Sequence, residues 1–242
     1  MTNVKKTKAW KVILERELKS YFTSWVPYFV CMLFLLFVGS FFLPGFYLRR
    51  SANLRGFFQQ LPLAFSLFIP PLTMKSFSEE KRSGSLETLV TLPVTTMDVV
   101  LGKYLAAMIS CITLLVPTLF YLLTCCIFGN PDAGPLIGGY IGAILMAAAF
   151  CSIGMFASSV TKNQIAALFT GLAICMFLYI VGAFAQLLPA GIVPFVRFIS
   201  ATSHFESISR GVIDSRDVIY FLSLIAVFFG LTVKTLEKAR RG

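Results

Sequence analysis

Apolar residues recur along this chain in two ways: at helical spacing in one short amphipathic stretch, and as long runs that no soluble fold requires. From Ala9 to Phe22 the apolar positions Trp10, Ile13, Leu14, Leu18, Tyr21 and Phe22 alternate with lysines and acids, which predicts an amphipathic helix. Such a helix lies on a membrane surface, aromatics toward lipid and lysines toward headgroups, or packs as a soluble helix on a partner. Six spans follow: Trp25 to Leu48, Phe57 to Phe77, Tyr104 to Phe128, Leu136 to Val160, Gln164 to Leu188 and Val218 to Val233. At ~1.5 Å per residue the first crosses a ~30 Å hydrocarbon core with residues to spare. The second holds Gln59, Gln60, Pro62, Pro70 and Pro71, so a straight helix is not expected there; it lines a cavity or is a bent packing helix. The fourth carries Gly138 and Gly142 at the spacing that lets helix backbones approach, within one chain or between two.

Between the second and third runs lies the most densely charged interval, Ser76 to Lys103. Ser85 predicts a helix cap with Glu87 in the first turn and Pro93 as the stop. Thr95 and Asp98 form a capping-box-like pair that starts a second helix. A second polar segment, Pro189 to Asp217, precedes the last run; Ser203 with Glu206 predicts a short helix to Arg210, ended by Gly211. Asp214 and Asp217 then sit where acids favour a helix start.

Composition makes this a membrane protein: 57% of residues are hydrophobic and 13% charged, against ~25% charged in soluble domains. The net charge of +10 fits the positive-inside bias and anionic lipid, and nucleic acid is not expected as a partner. Across six spans, fifteen basic residues fall on the side of the termini and the 76–103 interval, and six on the other. Both termini are therefore expected in the cytoplasm. The six cysteines all lie in apolar runs and read as small buried residues, neither disulfides nor metal ligands. The lysine-bearing first two dozen residues are too long and polar for a signal peptide.

Catalytic and ion-coupled classes lack their residues. No span carries Asp, Glu, Arg or His in its interior, where a proton- or ion-driven carrier places such a group. The only histidine, His204, reads as a surface or interfacial residue. There is no metalloprotease motif and no phosphate-cradling loop, so neither a bound metal nor ATP is expected on this chain. What remains is a helical bundle with an ordered charged device, read either as a solvated loop with incidental caps or as a docking helix for a soluble partner. In the docking reading Glu79, Glu80, Arg82 and Glu87 pair with that partner's charges, while Gly84 and Pro93 shape the elbow.

The run Glu79-Glu-Lys-Arg-Ser-Gly-Ser-Leu-Glu-Thr-Leu-Val-Thr-Leu-Pro93 resembles the cytoplasmic signature of ABC-2 type permeases, nearest the branch associated with gliding motility and nitrous oxide reductase maturation. The pattern His204-Phe-x-x-x-x-Arg210-Gly211-x-x-Asp214-x-x-Asp217-x-x-Tyr220-Phe221 is similar to the same branch. Ser85 stands where the family often has threonine, which keeps the cap.

The resemblance implies an all-α polytopic membrane domain over residues 1–242: an elbow helix at 1–24, spans 1 and 2 at 25–77, coupling helices at 78–103, spans 3 to 5 at 104–188, a re-entrant outer segment at 189–217, span 6 at 218–233 and a cytoplasmic tail at 234–242. It implies a permease of a bacterial cytoplasmic (inner) membrane exporter that catalyses nothing itself. Two such permeases, identical or not, would work with two ATPase subunits that hold ATP and Mg. Glu79, Glu80, Arg82, Gly84, Ser85, Leu86, Glu87, Leu89 and Pro93 are then the ATPase-coupling candidates. Gln59, Gln60, Pro70, Pro71 and Gln186 are candidates for a translocation path, and His204, Phe205, Glu206 and Arg210 for an outer site. An uncharged path favours lipidic or amphipathic cargo, while the branch also admits a machine that moves no cargo and drives periplasmic or auxiliary membrane proteins.

Overall fold

The computed structural model describes residues 9–47, 53–85, 94–129, 131–184, 191 and 193–241. Among them are eleven helices and no strand: α1 (Ala9–Thr23), α2 (Trp25–Tyr47), α3 (Arg55–Thr73), α4 (Lys75–Ser83), α5 (Thr96–Thr113), α6 (Leu119–Phe128), α7 (Ala133–Val160), α8 (Gln164–Phe184), α9 (Val193–Ile199), α10 (Ala201–Ser209) and α11 (Ser215–Arg241). Of the helix expected at Ser85 to Pro93 only Ser85 is described; residues 86–93, with Leu86, Glu87, Leu89 and Pro93, lie outside the described residues, as does Gln186.

Among the described residues, five helices are long and apolar enough to cross a membrane: α2, α5, α7, α8 and α11. The second expected span, α3, is not among them, because Arg55, Gln59, Gln60 and three prolines dilute its apolar content. It is nonetheless a deeply buried helix, packed on α2, α7 and α8. Its prolines interrupt neither the helix nor its link to α4, since the Met74 amide donates to Pro70 O at 2.9 Å and the chain turns into α4 at once. The third span is not one helix. Pro117 has no N–H to donate, and residues 114–118 tighten into a turn whose amides reach three residues back, Leu115 to Ile112 O at 2.9 Å and Thr118 to Leu115 O at 3.1 Å. The result is α5, a break, and α6.

The hub is α7. It packs against α3, α4, α5, α8, α10 and α11, and its small residues make this possible. The Gly138–Gly142 face meets α10 of the same chain: a side chain at Gly138 would run into the carbonyl of Ile208, and one at Gly142 would meet Ile208 and Phe205 at 3.1–3.2 Å. Further polar ties cross the bundle, from Tyr104 O–H to Ala148 O at 3.1 Å and from Ser66 O–H to Cys175 O at 3.3 Å.

Two caps differ in their fate. Thr95 accepts the Asp98 amide at 3.1 Å and donates its hydroxyl to the Asp98 carboxylate at 2.6 Å, so α5 starts where the sequence places it. In the outer segment the cap is Ser200, which takes the Ser203 amide at 3.2 Å; neither Ser203 nor Glu206 caps α10. Ser200 follows the short α9 directly, so the chain turns three residues before the expected cap. Helix α1 packs against α5 of the same chain.

Candidate functional site

Helix α4 has almost no apolar content, and its position is fixed by polar contacts on three sides. Its N-terminal amides find no cap within their own segment. Ser158, near the end of α7, supplies one from across the bundle: its hydroxyl oxygen accepts the Phe77 and Ser78 amides at 2.9 and 3.0 Å, and its hydrogen goes to Met74 O at 2.9 Å. One side chain thus satisfies two of the orphan donors that every helix start presents. Lys81 adds a second tie by donating to the carbonyl of Ser159. Burial, and then the neighbouring Lys162, push the Lys81 ammonium below the usual lysine range. Gly84 ends the helix in the left-handed region at φ 74°, where a Cβ would be strained.

The third side is a buried charge cluster. Lys103, on α5, is only 3% exposed, and its ammonium meets three acceptors: Glu80 Oε1 at 2.8 Å, Ser76 O at 2.9 Å and Glu17 Oε1 at 3.0 Å. Three N–H donors meet three oxygens, which satisfies the cation without water. Arg16 lies 2.9 Å from Glu17 and 3.3 Å from Glu80, closing the group. Burial alone would raise the Glu17 carboxyl, but Lys103 and Arg16 outweigh it and hold it below its ordinary range. The cluster joins α1, α4 and α5, and the helices are close: a Cβ on Gly102 would sit 2.8 Å from Trp10 O and 2.9 Å from Ile13. Tyr21 completes the seam, donating to Leu72 O at 3.1 Å.

Glu80, read from sequence as a contact for a soluble partner, is therefore engaged inside its own chain. Glu79, Arg82, Gly84 and Ser85 stay exposed. Sequence reasoning missed Arg16, Glu17, Lys103 and Ser158, because their partners on other helices lie 23 to 86 residues away and no local spacing links them. The one available signal is a lysine set at the threshold of an apolar run. A cleft of about 500 Å³ opens beside the cluster between α1, α3 and α4, with Pro71, Lys75 and Glu79 in its wall.

The path candidates are not gathered in one place. Gln59 lines a cleft of about 340 Å³ and shares a second recess against α2 with Gln60, whereas Pro70 is buried and Pro71 belongs to the cleft beside the charge cluster. Gln59 and Pro71 stand twelve residues apart, roughly 18 Å along α3. The outer cleft does bring Gln59 together with Glu206 and Arg210, beside Arg55 and Asp132. Phe205 is not part of that surface; it is fully buried against α7. His204 is not a surface residue either, since its ring pairs with Asp217 and stacks on Tyr220. Among the described residues no group of three His, Cys, Asp or Glu side chains is placed to hold a metal.

No curated protein matches this sequence significantly. A family model described as ABC-2 family transporter protein matches residues 12–239, so all but the ends of the architecture above falls within it. The chain belongs to that family: it is the multi-pass membrane permease component of an ABC transporter, a class that works with an ABC ATPase.

Proposed function

We propose that this permease is the membrane half of an ATP-driven exporter in a bacterial cytoplasmic membrane, and that α4 with the segment after it receives the stroke of the ATPase. The observation that carries this is the anchoring of α4. A polar helix tied at once to α1, α5 and α7 is built to transmit force, whereas a connector between two spans needs no such fixation. Counting α3 with the five long apolar helices gives six crossings, with both termini, α1 and α4 in the cytoplasm, in keeping with the excess of basic residues there. Two copies of the permease would face two ATPase subunits, which hold the ATP and Mg. The cargo path would form between permease copies, since the path candidates do not converge within one chain.

The exposed pair Glu79 and Arg82 is the part of α4 left to meet the ATPase, together with Ser85 and the segment that follows. Reversing both charges (Glu79→Arg with Arg82→Glu) is expected to abolish co-purification with the ATPase while the protein still inserts and folds. Undiminished co-purification would remove the docking role.

The outer cleft supports a second reading, in which the complex drives extracytoplasmic proteins and moves no small cargo. Its wall carries both signs of charge, Arg55 and Arg210 with Asp132 and Glu206, which suits a protein surface better than an acyl chain. A photo-crosslinker at Arg210 separates the two readings: protein adducts favour mechanical transmission, lipid adducts favour export of a lipidic cargo.

A further inference from the structure

Both ring nitrogens of His204 face acceptors. Nδ1 lies 2.7 Å from Asp217 Oδ1, and Nε2 lies 3.1 Å from the carbonyl oxygen of Phe198. A backbone carbonyl only accepts, an ionised carboxylate only accepts, and neutral imidazole carries a single N–H. With Asp217 ionised, both contacts require the two N–H groups of an imidazolium. With a neutral ring, the missing proton must sit on Asp217, which then donates to Nδ1. Either way this geometry holds one proton more than a neutral imidazole beside a carboxylate.

We propose that His204 and Asp217 form a proton-binding site that latches α9 and α10 onto α11. The parts of a latch are present. His204 belongs to α10, Asp217 to the first turn of α11, and the Phe198 carbonyl to α9, so one imidazole bridges three helices. Tyr220 of α11 backs the ring, stacked at 4.0 Å between centroids, and donates its hydroxyl to Ile199 O at 2.6 Å. The Asp217 side chain is 9% exposed and its Oδ2 has no hydrogen-bond partner. Leaving such a buried carboxyl ionised with one bare oxygen is costly, and the proton shared with His204 offsets that cost.

Release is a proton exchange with water. When the proton departs to solvent, one nitrogen turns a lone pair toward an oxygen lone pair, and either the Asp217 or the Phe198 contact must open. Other groups around the site do not replace it. Glu206 pairs with Arg210 on α10 at 3.8 Å, Asp214 accepts the Arg216 amide at 3.0 Å, and the packed elements also carry Arg197 on α9, Asp132 before α7, Arg55 on α3, Tyr140 on α7, Tyr179 on α8, Asp98, Lys103 and Tyr104 on α5, and Lys234, Glu237, Lys238 and Arg240 at the other end of α11. Among the described residues none of them forms an ion pair with His204 or Asp217. The inference does not depend on whether the outer segment faces cargo or protein.

His204 is the only histidine, so selective ¹⁵N-histidine labelling of the full chain in nanodiscs gives a single imidazole. At low pH its two nitrogens are expected to report either two N–H groups or, with Asp217 protonated, one N–H beside a strongly hydrogen-bonded acceptor, and to change state as the pH is raised. In parallel, amide exchange over 193–209, corrected for intrinsic rate, is expected to speed up at least tenfold across that transition. The His204→Phe variant, which keeps the stack on Tyr220, is expected to show no pH-dependent step. A single neutral tautomer across the whole range would overturn the proposal without any variant. So would a wild-type transition with no change in exchange, or an equal step in His204→Phe.

Discussion

Replacing Lys103 with Met removes the charge at the centre of the inner cluster while keeping the unbranched stem beside Phe77, whose ring centre lies 5.3 Å from the ammonium. Three oxygens lose their donor together, and two of them, on Glu17 and Glu80, belong to carboxylates 15% and 16% exposed that then face each other. Breaking a buried pair from one side costs about 3–5 kcal/mol, because the surviving charge stays buried and uncompensated. At 1.4 kcal/mol per tenfold, even the lower figure shifts the docked-to-undocked ratio of α1 more than a hundredfold. The chain has two tryptophans, Trp10 on the α1–α5 seam and the exposed Trp25, so a Trp25→Phe background makes Trp10 emission a local reporter of docking. An equilibrium SDS titration of the solubilised protein is expected to show early loss of the Trp10 signal in Lys103→Met. The neutral triple variant, Lys103→Met with Glu17→Gln and Glu80→Gln, should recover to within about 1–2 kcal/mol of wild type, since it removes both the charges and their mutual repulsion. A single variant within about 0.5 kcal/mol of wild type, or a triple no better than the single, would refute the view that this cluster holds α1 to α4 and α5.

Ser158→Ala should destabilise α4 by about 1–3 kcal/mol, the usual cost of unsatisfied buried amides, and hydrogen exchange over residues 75–83 would read it directly. Gly102→Leu should push α1 off α5, since even a Cβ would approach Trp10 O to 2.8 Å; Trp10 emission should shift to the red with the bundle otherwise folded. Acid should loosen the same seam. The Glu17 carboxyl is held below its ordinary 4.5, so its stabilisation is complete above that value and is lost as pH falls through the lower folded one. Trp10 emission titrated from pH 6 to pH 2.5 should show this step, and Glu17→Gln should abolish it.

The sequence made legible what depends on neighbours along the chain. Thr95 and Asp98 are three residues apart, so their cap can be read directly, and the small-residue face at Gly138 and Gly142 announces a close helix contact. The partner of that face, α10, lies about seventy residues downstream, and spacing alone does not identify it. Pro117 is a local signal for the break between α5 and α6, and the uninterrupted apolar run around it hides that break in the hydropathy pattern. The Ser200 cap competes with Ser203 for the same helix start, and the outcome is decided by where α9 ends. The inner cluster was least legible: Arg16, Glu17, Glu80 and Lys103 each resemble ordinary interfacial charges, and only the three-helix junction reveals that they neutralise one another.

The single hydroxyl of Ser158 has a mechanical consequence. Because it is bonded to Phe77, Ser78 and Met74 at once, α4 cannot swing without carrying the lower end of α7 with it. That helix is 28 residues long, an arm of about 42 Å, so a tilt of ~10° pivoting at its inner tip sweeps the opposite tip through roughly 7 Å. The displaced tip is the one that cradles Phe205 and Ile208, so a small tilt at the Ser158 end is magnified into a larger movement at the opposite end of the bundle.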